Sequence, residues 1–379
     1  MSAYIHEDHA AVRRRLLSVL EELNLDALVL TSYEAVSYFA GTAILTQEGI
    51  PTRLASLVMT RTGIEEFVVC SIETSLVREQ TDISAIFEYK EFVVEPEALI
   101  AERVKAHCGP GARIGFEESH MVQAVYGRFA GALAGYELVY ASDAIATQWT
   151  IKPQTSVDIL ADAARATVAA IENAAATSLA GEPELDFAAR ISQGLTEGGS
   201  VPKFIVVAVG KRSTQAHPVA DAAPLTEGDI WRVDVGGRFG RFLSDIARTG
   251  VVGEPSDRQK EVMKKLHLVQ AAGIAKLVPG NRACDVFHAV EAEFERQGLP
   301  FIMPHVGHAF GIGLHEKPML HPKDTSVIEV GMVFCVEPLV LFPEIDEGYH
   351  TEDLVVVTAD GPLLLTTPQT ELIQIPVRA

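Results

Sequence analysis

Apolar residues recur at helical spacing through Val12, Leu16, Val19, Leu20 and Leu23, and Asn24 ends the run, so the chain is predicted to open on a helix. DALVLTS, residues 26–32, then reads as a buried strand, and SYFAG, residues 37–41, closes that unit. Three further strand-like runs, LASLVMT, EEFVVC and ARIGFE, alternate with helical stretches up to about residue 145. This pattern predicts an α/β domain over residues 1–150, and no catalytic constellation falls within it.

The pattern changes at Lys152-Pro153. Thr155 and Asp158 have the spacing of a capping box, and the alanine-rich run after them predicts a long helix. Ser256 with Gln259 repeats the device before a second long helix. Gly181, Asp186, Ile191 and Gly199 match Gly280, Asp285, Val290 and Gly298 at a constant offset, which suggests a duplicated α/β half. From Lys203 onward FIVVAVG, DIWRVDVG, SDIARTGVVG, GMVFCVEPLVLF and EDLVVVTADG are β-rich and bounded by glycine or proline. Residues 151–379 therefore predict a second domain whose later part is a largely antiparallel sheet covered by helices.

Composition narrows the options. A chain of 379 residues with 48% hydrophobic and 22% charged residues has material for two globular cores. Its formal charge of −20 repels phosphate backbones and anionic bilayers, which argues against nucleic-acid and membrane partners. Cys70, Cys108, Cys284 and Cys335 form no CxxC pair, as expected of reduced thiols in the cytoplasm. The opening MSAYIHEDHAAVRRR has no apolar signal region, and no run nears the eighteen or so apolar residues of a membrane span.

The chemistry concentrates after residue 230. DIWRVDVGGRFGRFLSD sets Asp234 and Asp245 on two successive strands that a hairpin brings together. Asp234 interrupts an otherwise hydrophobic strand, where an aspartate calls for a partner or a metal; in isolation, a solvated aspartate beside a turn is an equal reading. PHVGHAFGIGLHEKP holds His305, His308 and His315 among four glycines, and imidazole both binds metals and moves protons. Glu337 and Glu352 lie beside stretches that should be buried, where a glutamate needs a cation or a shared proton. Asp346 and Glu347 read as solvated loop charges. Four carboxylates and a histidine make an oxygen-rich set for two divalent ions, which would share carboxylates and a water acidified into the neutral range.

In their order, DVGGRFGRFLSD, GHAFGIGLHE, CVEP and TED resemble the signatures of the creatinase, prolidase and methionine aminopeptidase superfamily, the pita-bread fold. The resemblance covers essentially the whole chain and is closest to the Xaa-Pro dipeptidase and aminopeptidase P branch. It implies a creatinase-type α/β N-terminal domain before a pita-bread catalytic domain of two pseudo-twofold halves. It further implies that Asp234 chelates one metal, that Asp245 and Glu352 bridge both, and that His308 and Glu337 complete the other. His217, in GKRSTQAHP, matches a histidine near the leaving group, and His315 one that supports the substrate carbonyl. Glu337 matches a relay for the proton of the attacking hydroxide, and His305 a residue lining the substrate. The implied cofactors are two divalent ions, Mn²⁺ foremost, with Zn²⁺, Co²⁺ or Fe²⁺ as alternatives. The implied substrate is a short proline-containing peptide, and the implied assembly a homodimer.

Arg241, Phe242 and Ala247 depart from the pattern, and His350 stands where an arginine that holds a dipeptide's carboxylate is usual. Histidine lacks the bidentate fork, so the exchange bears on specificity more than on the metals. Two other readings are a hydrolase or lyase of a non-peptide metabolite on the same fold, and a binding domain with a vestigial site.

Overall fold

The computed structural model describes residues 9–377, so the first eight residues of the opening segment lie outside it. The chain divides into two compact units between Trp149 and Thr150.

The first unit is built on a six-stranded mixed sheet in the order Ile86–Tyr89, Glu65–Cys70, Ser56–Thr60, Ala27–Leu30, Arg113–Phe116, Glu137–Tyr140. Ala27–Leu30 and Ser56–Thr60 are buried at every position, which is why they read as continuous apolar runs. The opening helix is broken into His9–Arg14 and Leu16–Glu22. At the break Ser18 donates its hydroxyl to the Arg15 carbonyl at 2.6 Å, which competes with the helical ladder. SYFAG lies mostly inside the helix Tyr33–Ala40, which Ser32 caps and which left-handed Gly41 ends.

The second unit carries two pairs of helices, Gln154–Thr177 with Glu184–Glu197 and Asp257–Ile274 with Ala283–Gln297. The spacing noted in the sequence has a conformational basis. Gly181 and Gly280 turn the chain between the helices of each pair at φ +88° and +92°. Gly199 and Gly298 follow the shorter helices at φ +88° and +67°. Only glycine takes such angles freely. The Ser256–Gln259 capping box is present. Thr155 is not a cap: the first long helix starts one residue earlier, after Pro153, and Asp158 instead accepts from Gln154.

The expected single sheet is two. One orders Ile373–Ile375, Ile246–Val252, Ile230–Phe239 and Val201–Val209, with the short Phe242–Leu243 on Ile230–Phe239. The other orders Glu316–Met319, Gly307–Ala309, Val333–Val336, Asp353–Thr358 and Gly361–Leu364. A separate hairpin pairs Leu339–Phe342 with Glu347–His350. All pairings in this unit are antiparallel except that of Ile246–Val252 with Ile373–Ile375. Within the described residues no helix is long and apolar enough to cross a membrane. Cys70, Cys108 and Cys335 are buried, Cys284 is half-buried, and all four are free thiols.

Candidate metal centre and its cavity

The two sheets each contribute one face to the site. Asp234 lies mid-strand in Ile230–Phe239, opposite Ala247, and Asp245 precedes Ala247 by two residues, so both aspartates share a face. Asp245 itself lies one residue short of the strand Ile246–Val252 rather than within it. Gly236 permits this approach, since a Cβ there would sit 2.0 Å from the Ser244 carbonyl.

On the second sheet His308 pairs with Cys335, and Glu337 follows two residues after Cys335 on the same face. Gly307 is as constrained as Gly236: a Cβ would meet the Cys335 carbonyl at 2.1 Å. Glu352 precedes the strand Asp353–Thr358, and its amide donates to the Ala247 carbonyl at 3.1 Å, which ties it to the aspartate sheet. Buried Arg248 braces the junction, donating to the Glu352 carbonyl at 2.7 Å and to Asp353 Oδ1 at 2.7 Å.

The expected ligands do converge. His308 Nε2 lies 3.5 Å from Glu337 Oε1 and 3.9 Å from Asp245 Oδ2. The Asp245 and Glu352 carboxyls lie close enough to share a proton. Asp245, His308, Cys335 and Glu352 offer donor atoms all within 4.8 Å of one another. Burial raises the pKa of Asp234 and Glu337, and raises Asp245 and Glu352 well above the usual carboxylate range. Mutual repulsion adds to the shift at Asp245 and Glu352. Burial also lowers His308 to about 3, which leaves it a neutral imidazole. Glu337 Oε1 and Glu352 Oε1 are buried without a hydrogen-bond partner. Crowded carboxyls, a neutral imidazole and orphaned oxygens fit divalent cations, whose charge would reverse the repulsion.

A cavity of about 550 Å³ opens on this cluster. His217, His305, His315 and His350 line it, together with Phe204, Val206, Ile302, Met303, Leu314, Leu339 and Leu341. The His315 ring stacks on His308 with centroids 4.1 Å apart. His305 Nδ1 stands 3.5 Å from Glu337 Oε1. His350 is 4% exposed, and burial lowers its pKa to about 4, so it carries no charge near neutral pH.

Sequence reasoning missed the groups that hold this lining in place. Arg232 is fully buried and donates from Nε to the Ser213 carbonyl at 2.7 Å and from Nη2 to the carbonyls of Gln215 and Ala216, which fixes the segment before His217. Glu316 Oε1 accepts from the amides of Ile312 and Gly313 at 2.8 and 3.0 Å, while its Oε2 pairs with buried Lys152, which sets the loop before His315. Arg232 and Arg248 carried a signal, since each is charged within an apolar strand run. Lys152 and Glu316 carried none, because 164 residues separate them.

Comparison with known proteins agrees with this architecture. Residues 158–359 match Metallopeptidase family M24, and residues 13–148 match the Creatinase/Prolidase N-terminal domain. An Xaa-Pro dipeptidase from Bacillus anthracis superposes with a TM-score of 0.86 at 25% identity, covering 97% of this chain and 100% of that one. Dipeptidase PepE from Mycobacterium ulcerans gives 0.84 at 28% identity, covering 98% and 100%. An Xaa-Pro dipeptidase from Pyrococcus horikoshii is 30% identical over 234 residues, covering 61% of this chain and 66% of its own.

Proposed function

The chain belongs to metallopeptidase family M24, and on that premise we propose that it hydrolyses the Xaa-Pro bond of short peptides, as a dipeptidase or an aminopeptidase. The observation that carries this reading is the convergence of Asp234, Asp245, Glu337 and His308 on one cavity, with Glu352 buried behind them against Asp245 and with His217 and His315 in the lining. Relatives named as Xaa-Pro dipeptidases support the choice of bond, and none of these relatives favours a non-peptide substrate.

In this reading Asp234 would hold one ion, Asp245 and Glu352 both, and His308 and Glu337 the other. Bound divalent ions supply a water acidified into the neutral range and polarisation of the scissile carbonyl. His315, exposed beside His308, is aimed to donate to the carbonyl oxygen as it gains charge. His217 lines the same cavity and would donate near the leaving nitrogen. Glu337, which faces the same cavity, would carry a proton from the attacking water to that nitrogen. The apolar wall of Ile302, Leu314, Leu339 and Leu341 offers a surface for a proline ring, which has no amide hydrogen to satisfy.

Four carboxylates with one imidazole suit Mn²⁺. A cytoplasmic setting is supported by the four free thiols, and the homodimer implied by the resemblance completes the proposal, with sedimentation velocity as its check. The decisive test reconstitutes chelator-stripped protein with Mn²⁺ and offers Xaa-Pro dipeptides beside Xaa-Pro tripeptides. Metal-dependent cleavage is expected, and the length preference separates the two activities. Two ions bound per chain with no cleavage across the panel would overturn the peptidase reading.

A further inference from the structure

His350 ends the strand Glu347–His350, opposite Leu339. Its backbone is fixed by Thr249, whose hydroxyl accepts from the His350 amide at 2.8 Å and donates to the His350 carbonyl at 2.7 Å. The ring is therefore delivered to one place. It is 4% exposed, and neither Nδ1 nor Nε2 reaches a partner at full hydrogen-bond geometry, the Glu337 backbone being the nearest approach. A buried polar atom without a well-formed hydrogen bond is costly, so the ring nitrogens call for a further partner.

The surroundings show what would satisfy them. Nδ1 stands 4.0 Å from Asp234 Oδ2, and Nε2 stands 3.7 Å from Glu337 Oε2. Both separations are too long for hydrogen bonds. The Nδ1–Asp234 separation is that of two donors around a shared cation, because ligands roughly 2.0–2.2 Å from one ion lie about 3–4 Å apart. His308 differs in that one nitrogen, Nε2, stands 3.5 and 3.9 Å from both of its carboxylate neighbours. Glu337 therefore has three imidazoles around it, with His305 and His308 on Oε1 and His350 on Oε2. Arg232 and His217 are the other titratable groups facing the ring, and Arg232 is committed to the carbonyls of Ser213, Gln215 and Ala216.

We propose that His350 is a sixth protein ligand of the metal centre: Nδ1 joins Asp234 on its ion, and Nε2–H points at Glu337 Oε2. A ligating imidazole normally donates its second N–H to a carboxylate, which fixes ring and tautomer together, and here that bond forms once the 3.7 Å gap closes by about half an ångström on metal loading. The inference rests on the dinuclear reading above and changes one of its consequences. Two imidazoles beside four carboxylates shift the preference from Mn²⁺ toward Co²⁺, Zn²⁺ and Fe²⁺.

The test strips the full-length protein with chelator and reloads it with Co²⁺ alone. Ligated imidazoles then give exchangeable N–H proton resonances shifted far outside the diamagnetic range, one per histidine. His308 supplies one, its Nδ1 lying 3.1 Å from the Ala309 carbonyl. Two such resonances are expected in the wild type and one in His350→Phe, with Co²⁺ binding at one site weakened at least about 10-fold. A single shifted resonance in the wild type overturns the proposal, as does a His350→Phe protein that binds both ions with undiminished affinity. If His350→Phe does not fold, the wild-type count decides alone. Fewer than two Co²⁺ ions per wild-type chain would remove the dinuclear reading and this proposal together, and that result precedes any mutagenesis.

Discussion

At the scale of single residues the site is governed by burial. Desolvation, then the charges of Glu352, Asp234 and Glu337, hold the Asp245 carboxyl well above its usual range. Between its unfolded value of about 3.9 and its raised folded value, the folded chain keeps a proton that the unfolded chain has released. The stability from this group is therefore complete below about pH 4 and is lost as pH rises through the folded pKa. With chelator present, Asp245→Asn is expected to melt above the wild type at pH 7, because the amide has no proton to lose. With Mn²⁺ present the order should invert, since the variant has lost a carboxylate proposed to serve both ions. Thermal melts at pH 5 and pH 8, with and without chelator, check this, and wild-type and variant curves that stay parallel throughout would refute it. His315 tests the opposite category. It touches His308 but is no ligand in the proposed set, so His315→Ala should retain both ions and lose about 10²–10³-fold in kcat. Loss of an ion in elemental analysis would make it a ligand instead.

Among elements, the close approach of strand and turn at Gly236 decides whether the two aspartates meet. Gly236→Ala forces a methyl to within 2.0 Å of the Ser244 carbonyl, so it should destabilise the second unit by about 3 kcal/mol and reduce metal affinity with it. Urea unfolding and metal titration of the same sample measure both effects. The site was more legible in the sequence than the sheets were, and for a physical reason. An aspartate or glutamate in an apolar run, as at Asp234 and Glu337, stands out by local contrast. The Ser256 cap is equally local, since its partner is three residues away. The division into two sheets depends on pairings such as Gly250 with Ile373, which no local pattern encodes. Cys335 lay between these cases. It read only as one of four reduced thiols, although two-residue alternation from Glu337 already put it on the face of the cluster. The break at Arg15 went unread because the apolar spacing continues straight through it.

On the scale of the whole molecule, ion binding is a term in folding stability. An ion at 100 times its Kd that binds only the folded chain adds about 2.7 kcal/mol. Chelation should therefore raise amide hydrogen exchange in Val333–Val336 and Asp353–Thr358, the strands that flank the donors. Exchange in Ser56–Thr60 of the first unit should be unchanged. A uniform rise across both units would mean that the ions stabilise more than the unit that holds them. The donors run from Asp234 on one sheet to Glu352 beside the other, over a hundred residues along the chain. A cation that joins those two ends acts as a reversible crosslink, and in the chain-entropy model a covalent crosslink of that span is worth about 4–5 kcal/mol. It also sets an order of events in biosynthesis. A nascent chain that stops short of Glu352 lacks one of the two carboxylates proposed to serve both ions, so capture of the full pair is expected to follow the emergence of the final sheet strands from the ribosome.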